Sequence, residues 1–136
     1  RFILNLLPKP FTRPITAFVS KHRYILTRVL KKVYVSQKQF ELKMRSIFTE
    51  LKLKNSKIFV ISIKADPKLK NKSFGILENI NKYNFSLSSL SNEFNFTYVD
   101  YNLEESDFSL DGIHLTKTGH NKLAVTLSNK IMQLET

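Results

Sequence analysis

The sequence predicts an α/β protein, a three-layer α/β/α sandwich built on a parallel sheet. Helix-like and strand-like segments alternate along residues 36–136, which is the order that parallel sheets with crossover helices require. Segment 57–64 is almost continuously apolar and β-branched, as expected of a strand buried on both faces. The helix-like segments are amphipathic, so each is expected to cover the sheet with one face. At 136 residues the chain fits a single domain, 1–136.

The first 35 residues are expected to form a basic helical segment. They contain three of the four prolines, followed by two apolar-periodic runs at 15–20 and 24–33. Because proline sets boundaries, these runs predict short helices joined by turns.

The elements of residues 36–136 follow in order. Ser36 is the predicted N-cap of a helix that runs to residue 53, and a strand at 57–64 comes after it. A long helix over 74–94 leads to a short strand at 96–100. After an acidic loop, a last helix is predicted from residue 117 to 134 with Thr116 as its N-cap.

Charge is distributed unevenly over the chain. The net charge of +11 lies entirely in residues 1–54, which hold 13 Lys or Arg against 2 acids, whereas residues 55–136 hold 9 of each sign. Such a basic half can meet nucleic acid, anionic lipid or an anionic glycan, or it can be the solvated face of surface helices. Aromatic and basic residues do not interleave as in RNA-binding signatures, so we do not expect a nucleic-acid partner.

Absent features narrow the function classes. There is no cysteine, which excludes a disulfide framework, a thiolate nucleophile and cysteine metal ligands. Lys and Arg interrupt every apolar run well before the length that a membrane-spanning helix needs, so no such helix is predicted. The lack of these signals and of a leader leads us to expect a cytoplasmic protein without a cofactor, and the sequence predicts no oligomeric state.

The chemistry is concentrated in the stretch from Asp111 to His120, which holds two of the three glycines of the chain. Gly112 suits a sharp turn that folds Asp111 back toward His114. In that arrangement the carboxylate accepts the Nδ1 proton of the imidazole and leaves Nε2 free as a base. The alternative is a loop ion pair that only caps the last helix.

These residues resemble a known family. Asp111-Gly112-Ile113-His114-Leu115-Thr116, then Gly119-His120 and an amphipathic closing helix, are similar to the last motif block of SGNH (GDSL-like) hydrolases. The resemblance extends over residues 37–136, and residues 1–35 resemble an insertion in SGNH proteins encoded with bacterial surface-polysaccharide genes. It implies a flavodoxin-like SGNH fold with Asp111 and His114 as catalytic acid and base.

The sequence departs from the family in its first half. Gly-Asp-Ser and Gly-x-Asn-Asp do not occur, and no glycine precedes Gly75. The resemblance therefore implies that the nucleophilic serine and the oxyanion-hole residues lie upstream, and that this chain is the C-terminal part of a longer hydrolase domain, inactive alone.

Other candidate residues are weaker. A zinc site from Asp111, His114 and His120 would need a fourth ligand that the sequence does not offer, and His120 has a surface or helix-capping role as its alternative. Ser62 lies in a predicted strand and Ser73 opens a helix, so neither is a nucleophile. Two further residues carry open alternatives: Asp66 could bind a ligand or form an Asp-Pro turn, and His22 is interpreted as a solvated helix end.

The resemblance implies a serine esterase that hydrolyses or transfers small acyl groups, such as acetyl esters on a carbohydrate. From a different class, the alternative is a noncatalytic module that keeps the fold and uses residues 1–54 to hold an anionic polymer.

Overall fold

The computed structural model describes residues 9–30, 35–54 and 56–134. The parts of the predictions that fall on residues 1–8, 31–34, 55 and 135–136 lie outside the described residues. The described helices are α1 (Lys9–Lys21), α2 (Arg23–Leu30), α3 (Gln37–Lys52), α4 (Ile76–Phe94) and α5 (Lys117–Met132), the strands are β1 (Phe59–Ile61) and β2 (Thr97–Val99), and two 3₁₀ helices cover Pro67–Asn71 and Glu105–Asp107. None of the helices among these residues has both the length and the hydropathy to cross a membrane.

The start of α1 differs from the prediction. The sequence predicts a boundary at Pro14 before a helix at residues 15–20, but Pro14 lies inside α1, which begins at Lys9. Proline fixes a helical φ, and the cost of its missing N–H is one helical hydrogen bond, so a surface helix can continue through it. His22 lies between α1 and α2 and is partly buried; its N–H donates to Phe18 O at 3.0 Å and its carbonyl accepts from Leu26 N at 3.0 Å. The two helices therefore follow one another without a loop.

Helix α3 begins where the sequence predicts it. The Ser36 hydroxyl accepts from the Gln39 N–H, and the Gln39 side chain accepts from the Ser36 N–H, which completes a capping box. The apolar face of α3 packs on α4 through Phe48, which is only 2% exposed.

Strands β1 and β2 are parallel neighbours, with Val60 opposite Tyr98. Both are shorter than predicted. At Ile63 the side chain of Asn84 takes the place of a strand partner, since its Oδ1 accepts from the backbone N–H at 2.8 Å and its Nδ2 donates to the carbonyl at 2.9 Å. The expectation that β1 is buried on both faces is also wrong, because Val60 is buried while Ile61 is 37% exposed.

One core joins the sheet to the helices. Phe48, Val60, Leu87 and Leu90 are its buried centre, and the rings of Phe94 and Phe96 close one side of it. Helix α5 contacts β2 and the 3₁₀ helix Glu105–Asp107. The mixed α/β class is thus confirmed as helices around a two-stranded parallel sheet, and this core fixes the place where the chain leaves β2 for the loop before α5.

Candidate active site

The loop from Phe108 to Leu115 is closed at its base by the backbone. Phe108 and Leu115 form an isolated antiparallel bridge, and the Ser109 N–H donates to His114 O at 2.7 Å. Inside the loop the Gly112 N–H donates to Ser109 O at 2.9 Å, which makes a tight turn over residues 109–112. These hydrogen bonds therefore fix the backbone conformation of the residues between the two ends of the loop.

Asp111 and His114 are brought together as the sequence predicts. Asp111 Oδ1 accepts from the backbone N–H groups of Ile113 at 2.9 Å and His114 at 3.0 Å. Its other oxygen, Oδ2, is hydrogen-bonded to His114 Nδ1. One oxygen thus orders the backbone and the other orders the imidazole, and the ring is held from its Nδ1 side.

Gly112 makes this geometry attainable. Its φ is +77°, and a Cβ added there would lie 3.1 Å from Leu69 Cγ and 3.2 Å from Asp66 Cβ. Its carbonyl accepts from the Asp66 N–H at 2.9 Å, which fastens the turn to the segment after β1. A left-handed conformation in a closely packed position requires glycine.

Asp66 lies against the turn, and its N–H donates to the Gly112 carbonyl. Its carboxylate accepts from Lys68 N at 2.7 Å and caps the 3₁₀ helix Pro67–Asn71, so the Asp-Pro turn describes it well. A cavity of about 210 Å³ on this side is lined by Asp66 together with Lys68, Lys72 and Glu105. Neither Asp111 nor His114 lines it.

Hydrogen bonding sets the electrostatics of the pair. The N–H of Ile113, the His114 side chain and the His114 N–H all bond the charged form of Asp111 and hold the pKa of that carboxyl far below its usual range. Asp111 is therefore ionised at neutral pH and acts there as a hydrogen-bond acceptor. The His114 side chain is 78% exposed, so Nε2 is open to a reacting group.

Beneath the loop lies a second group of side chains that the sequence did not reveal. Asp107 has no exposed surface; its Oδ2 pairs with Lys122 Nζ at 2.7 Å and accepts from Glu104 N at 2.8 Å. The Lys122 ammonium and the Glu104 N–H hold the pKa of Asp107 below its usual range. Within the part of the chain that is described, Asp107 Oδ1 is the buried side-chain atom left without a hydrogen-bond partner. The signal that could have found Asp107 is its spacing of three from Glu104, which forms a capping box.

The same group joins the loop to α5. The Thr116 N–H donates to Asp107 O at 2.8 Å, and the Thr116 hydroxyl accepts from Gly119 N at 3.3 Å as the predicted N-cap. A Cβ on Gly119 would lie 2.5 Å from Asp107 O, so α5 can approach this closely only with glycine there.

The described serines do not complete a triad with His114. Ser62 is buried and donates to Asp100 Oδ1 at 2.7 Å, and Ser73 is buried at the end of the 3₁₀ helix Pro67–Asn71. No hydrogen bond joins any serine in residues 9–30, 35–54 or 56–134 to the His114 ring. His120 is exposed in the first turn of α5, and no group of three metal-ligating side chains that could hold an ion occurs in the described parts of the chain.

Searches of protein-family models, curated proteins and solved structures found no match to this chain.

Proposed function

We propose that the chain is the C-terminal part of an SGNH-type serine esterase in which Asp111 and His114 are the acid and base of a catalytic triad. The observation that carries the proposal is the hydrogen bond between Asp111 Oδ2 and His114 Nδ1 on a glycine turn, with Nε2 exposed. An orienting carboxylate on one ring nitrogen and an accessible second nitrogen are the two requirements of a general base.

In the proposed reaction a serine hydroxyl attacks the carbonyl carbon of an ester. His114 Nε2 takes the hydroxyl proton as the serine oxygen bonds to carbon, and it returns that proton to the leaving alcohol. Water, or the hydroxyl of an acyl acceptor, then attacks the acyl-enzyme by the reverse sequence of proton transfers. Asp111 keeps the ring oriented and stabilises the imidazolium that forms in each half-reaction.

The serine and the oxyanion donors are proposed to lie in a segment upstream of residue 1. The support is that the sequence lacks a Gly-Asp-Ser motif, while the pair itself is fully assembled. In the proposed whole domain, β1 and β2 are two strands of a larger parallel sheet in a three-layer sandwich. Consistent with that, β2 contacts both α4 and α5, and Ile61 of β1 stays exposed.

The proposed substrates are small acyl esters, with O-acetyl groups on a carbohydrate as the class to test first. This choice is taken from the likeness of residues 1–35 to SGNH proteins of polysaccharide loci.

The acid–base half of the proposal is testable on residues 1–136 alone. Imidazole ¹⁵N shifts report which ring nitrogen carries the proton. We expect neutral His114 to be the Nδ1–H tautomer because Asp111 accepts that proton, and Asp111→Asn to lose this preference. His120, which has no carboxylate partner among the described residues, is the internal control. An Nε2–H tautomer for His114 contradicts the proposal.

The serine half needs the longer polypeptide. Reading the gene upstream of Arg1 should reveal a strand followed by Gly-Asp-Ser or a close variant, and a fluorophosphonate probe should label that serine. We expect His114→Asn to abolish labelling, Asp111→Asn to lower kcat by up to about 10⁴-fold, and the matched His120→Asn variant to keep activity. A longer chain that folds, lacks such a serine and resists the probe would instead support the noncatalytic binding module.

A further inference from the structure

The helices α1 and α2 carry an apolar stripe on their outer side. Phe18, Ile25 and Val29 recur at spacings of seven and four residues and are 60%, 59% and 72% exposed. Since the helical hydrogen bonds continue across His22, the two helices present these side chains along one line. Val19 and Leu30 widen the stripe and are exposed as well.

The rest of the protein lies on the other side of α2. Thr27 Oγ1 accepts from the Phe74 N–H at 3.0 Å, and the ring of Tyr24 meets the ring of Phe74 edge-on at 6.1 Å. Thr27 is two residues from both Ile25 and Val29, which is about 200° around a helix. The apolar stripe therefore points away from the core and not into it.

Positive charge surrounds the stripe. Residues 1–40 contain nine Lys or Arg and no Asp or Glu. Among them, Lys21 and Arg28 are exposed and lie beside the stripe on the helix surface. Their aliphatic stems can cover apolar surface while the charged ends stay in a polar layer.

Among three partners outside the protein itself, one satisfies both features. A polynucleotide would neutralise the cations and leave Phe18, Ile25 and Val29 in water. A second copy docked through the same face would bury the stripe and press like charges together without an acid to pair them. An anionic bilayer takes apolar side chains below its headgroups and cations at its surface.

We infer that α1 and α2 form a surface that binds anionic phospholipid bilayers, with the stripe inserted at the depth of the headgroups. The helices lie along the bilayer, because the cations that flank the stripe stay with the headgroups. This inference goes beyond the proposed esterase and rests on other residues, so the two can fail separately.

Vesicle co-sedimentation of the full 136-residue chain tests it. We expect binding to vesicles that mix phosphatidylcholine with the anionic phosphatidylglycerol in a ratio of about two to one, and little binding to phosphatidylcholine alone. Ile25→Ser/Val29→Ser should weaken binding about tenfold through lost apolar insertion, and Lys21→Gln/Arg28→Gln about tenfold through lost charge.

Matched variants control for general effects. Phe85→Ser removes a side chain that is 70% exposed on α4, and Lys43→Gln/Lys70→Gln removes two exposed cations elsewhere; neither should change binding by more than about twofold. The inference is overturned if Ile25→Ser/Val29→Ser binds anionic vesicles as the parent does, since attraction by net charge alone would then be sufficient. It is equally overturned if the chain does not bind anionic vesicles, whether this face instead dimerises, binds an oligonucleotide or is covered by the proposed upstream segment in the longer polypeptide.

Discussion

The loop between Asp107 and Gly119 and the helices α1–α2 are held in place in contrasting ways. Around the loop, a backbone bridge, a capped helix start and the ion pair of buried Asp107 with half-buried Lys122 hold the backbone and side chains in place. Helices α1 and α2 have large apolar side chains in solvent and join the body through Thr27 and Tyr24 at Phe74. The loop is thus ordered by internal contacts, as the proposed acid–base role requires, whereas α1 and α2 leave apolar groups uncovered, as the proposed bilayer surface requires.

The largest expected effect on stability comes from the close approach of α5 to the loop at Gly119. Gly119→Ala places a Cβ 2.5 Å from Asp107 O, so the start of α5 must move away from the loop. Although alanine raises helix propensity by about 1 kcal/mol, we expect a net loss of about 2 kcal/mol in the free energy of unfolding, measured in urea. Thr118→Ala, next to it and exposed, should change stability by less than about 0.5 kcal/mol. Equal values for the two variants would show that the loop and α5 are not tightly joined.

A second pair of variants separates backbone strain from packing. Gly112 and Gly75 both have a left-handed φ, +77° and +72°, but a Cβ at Gly75 meets nothing nearer than 4.0 Å. We expect Gly112→Ala to cost about 2–3 kcal/mol and Gly75→Ala about 1 kcal/mol in chemical denaturation. If both substitutions cost the same, the crowding of the added Cβ at position 112 against Leu69 and Asp66 contributes nothing to the loss of stability.

The N-cap of α5 should matter less. Thr116→Ala removes the acceptor for Gly119 N, and a lost cap costs about 1 kcal/mol. Thr116→Ser keeps the hydroxyl and should retain most of that stability in the same denaturation experiment. A loss as large from Ser as from Ala would assign the effect to the methyl group.

The lowered pKa of Asp111 predicts that stability depends weakly on pH, with a definite sign. Its pKa is lowered in the folded chain, so its contribution to stability is present above the ordinary aspartate value of about 3.9 and is lost as the pH falls through the lowered pKa. The pair is exposed, so the effect should be smaller than that of the cap. In a carboxyl-carbon NMR titration, Asp111 should titrate below ordinary aspartates. Asp111→Asn should remove this part of the acid dependence, and titration at an ordinary value would contradict the hydrogen bonding described.

The smallest effect is expected in the N-terminal helices. Ile25→Ser/Val29→Ser should leave the free energy of unfolding within about 0.5 kcal/mol of the parent, because both side chains are already in solvent. Thermal unfolding measured by circular dichroism checks this. A loss as large as that of a truncated core side chain, about 2 kcal/mol or more, would mean that the stripe belongs to the core. The contrast between the two regions would then fail.

Much of the fold was predictable because its signals are local. The caps Ser36 and Thr116 are recognised within one helical turn, and the apolar periods of α3, α4 and α5 are read within each segment. The ends of β1 were not predictable, since Asn84 on another element replaces a strand partner at Ile63. The path of α1 through Pro14 was likewise not predictable, because proline ordinarily marks a helix boundary.

The candidate site shows the same difference between contacts within one segment and contacts between segments. Asp111 and His114 are three residues apart with a glycine between them, so a single turn brings them together and the sequence predicted their contact. Asp107 and Lys122 are 15 residues apart and meet only because α5 packs against the loop. A sequence pattern within one segment therefore cannot predict this ion pair.

The tip of the loop has a consequence for how such a protein can change over time. Leu110 and Ile113 flank Asp111 and Gly112 and are 101% and 54% exposed, so neither side chain belongs to the core. Ile113 contributes its backbone N–H to Asp111, which every amino acid except proline can supply. Substitutions at these two positions, within four residues of His114 in the chain, can therefore accumulate without disturbing the acid–base pair.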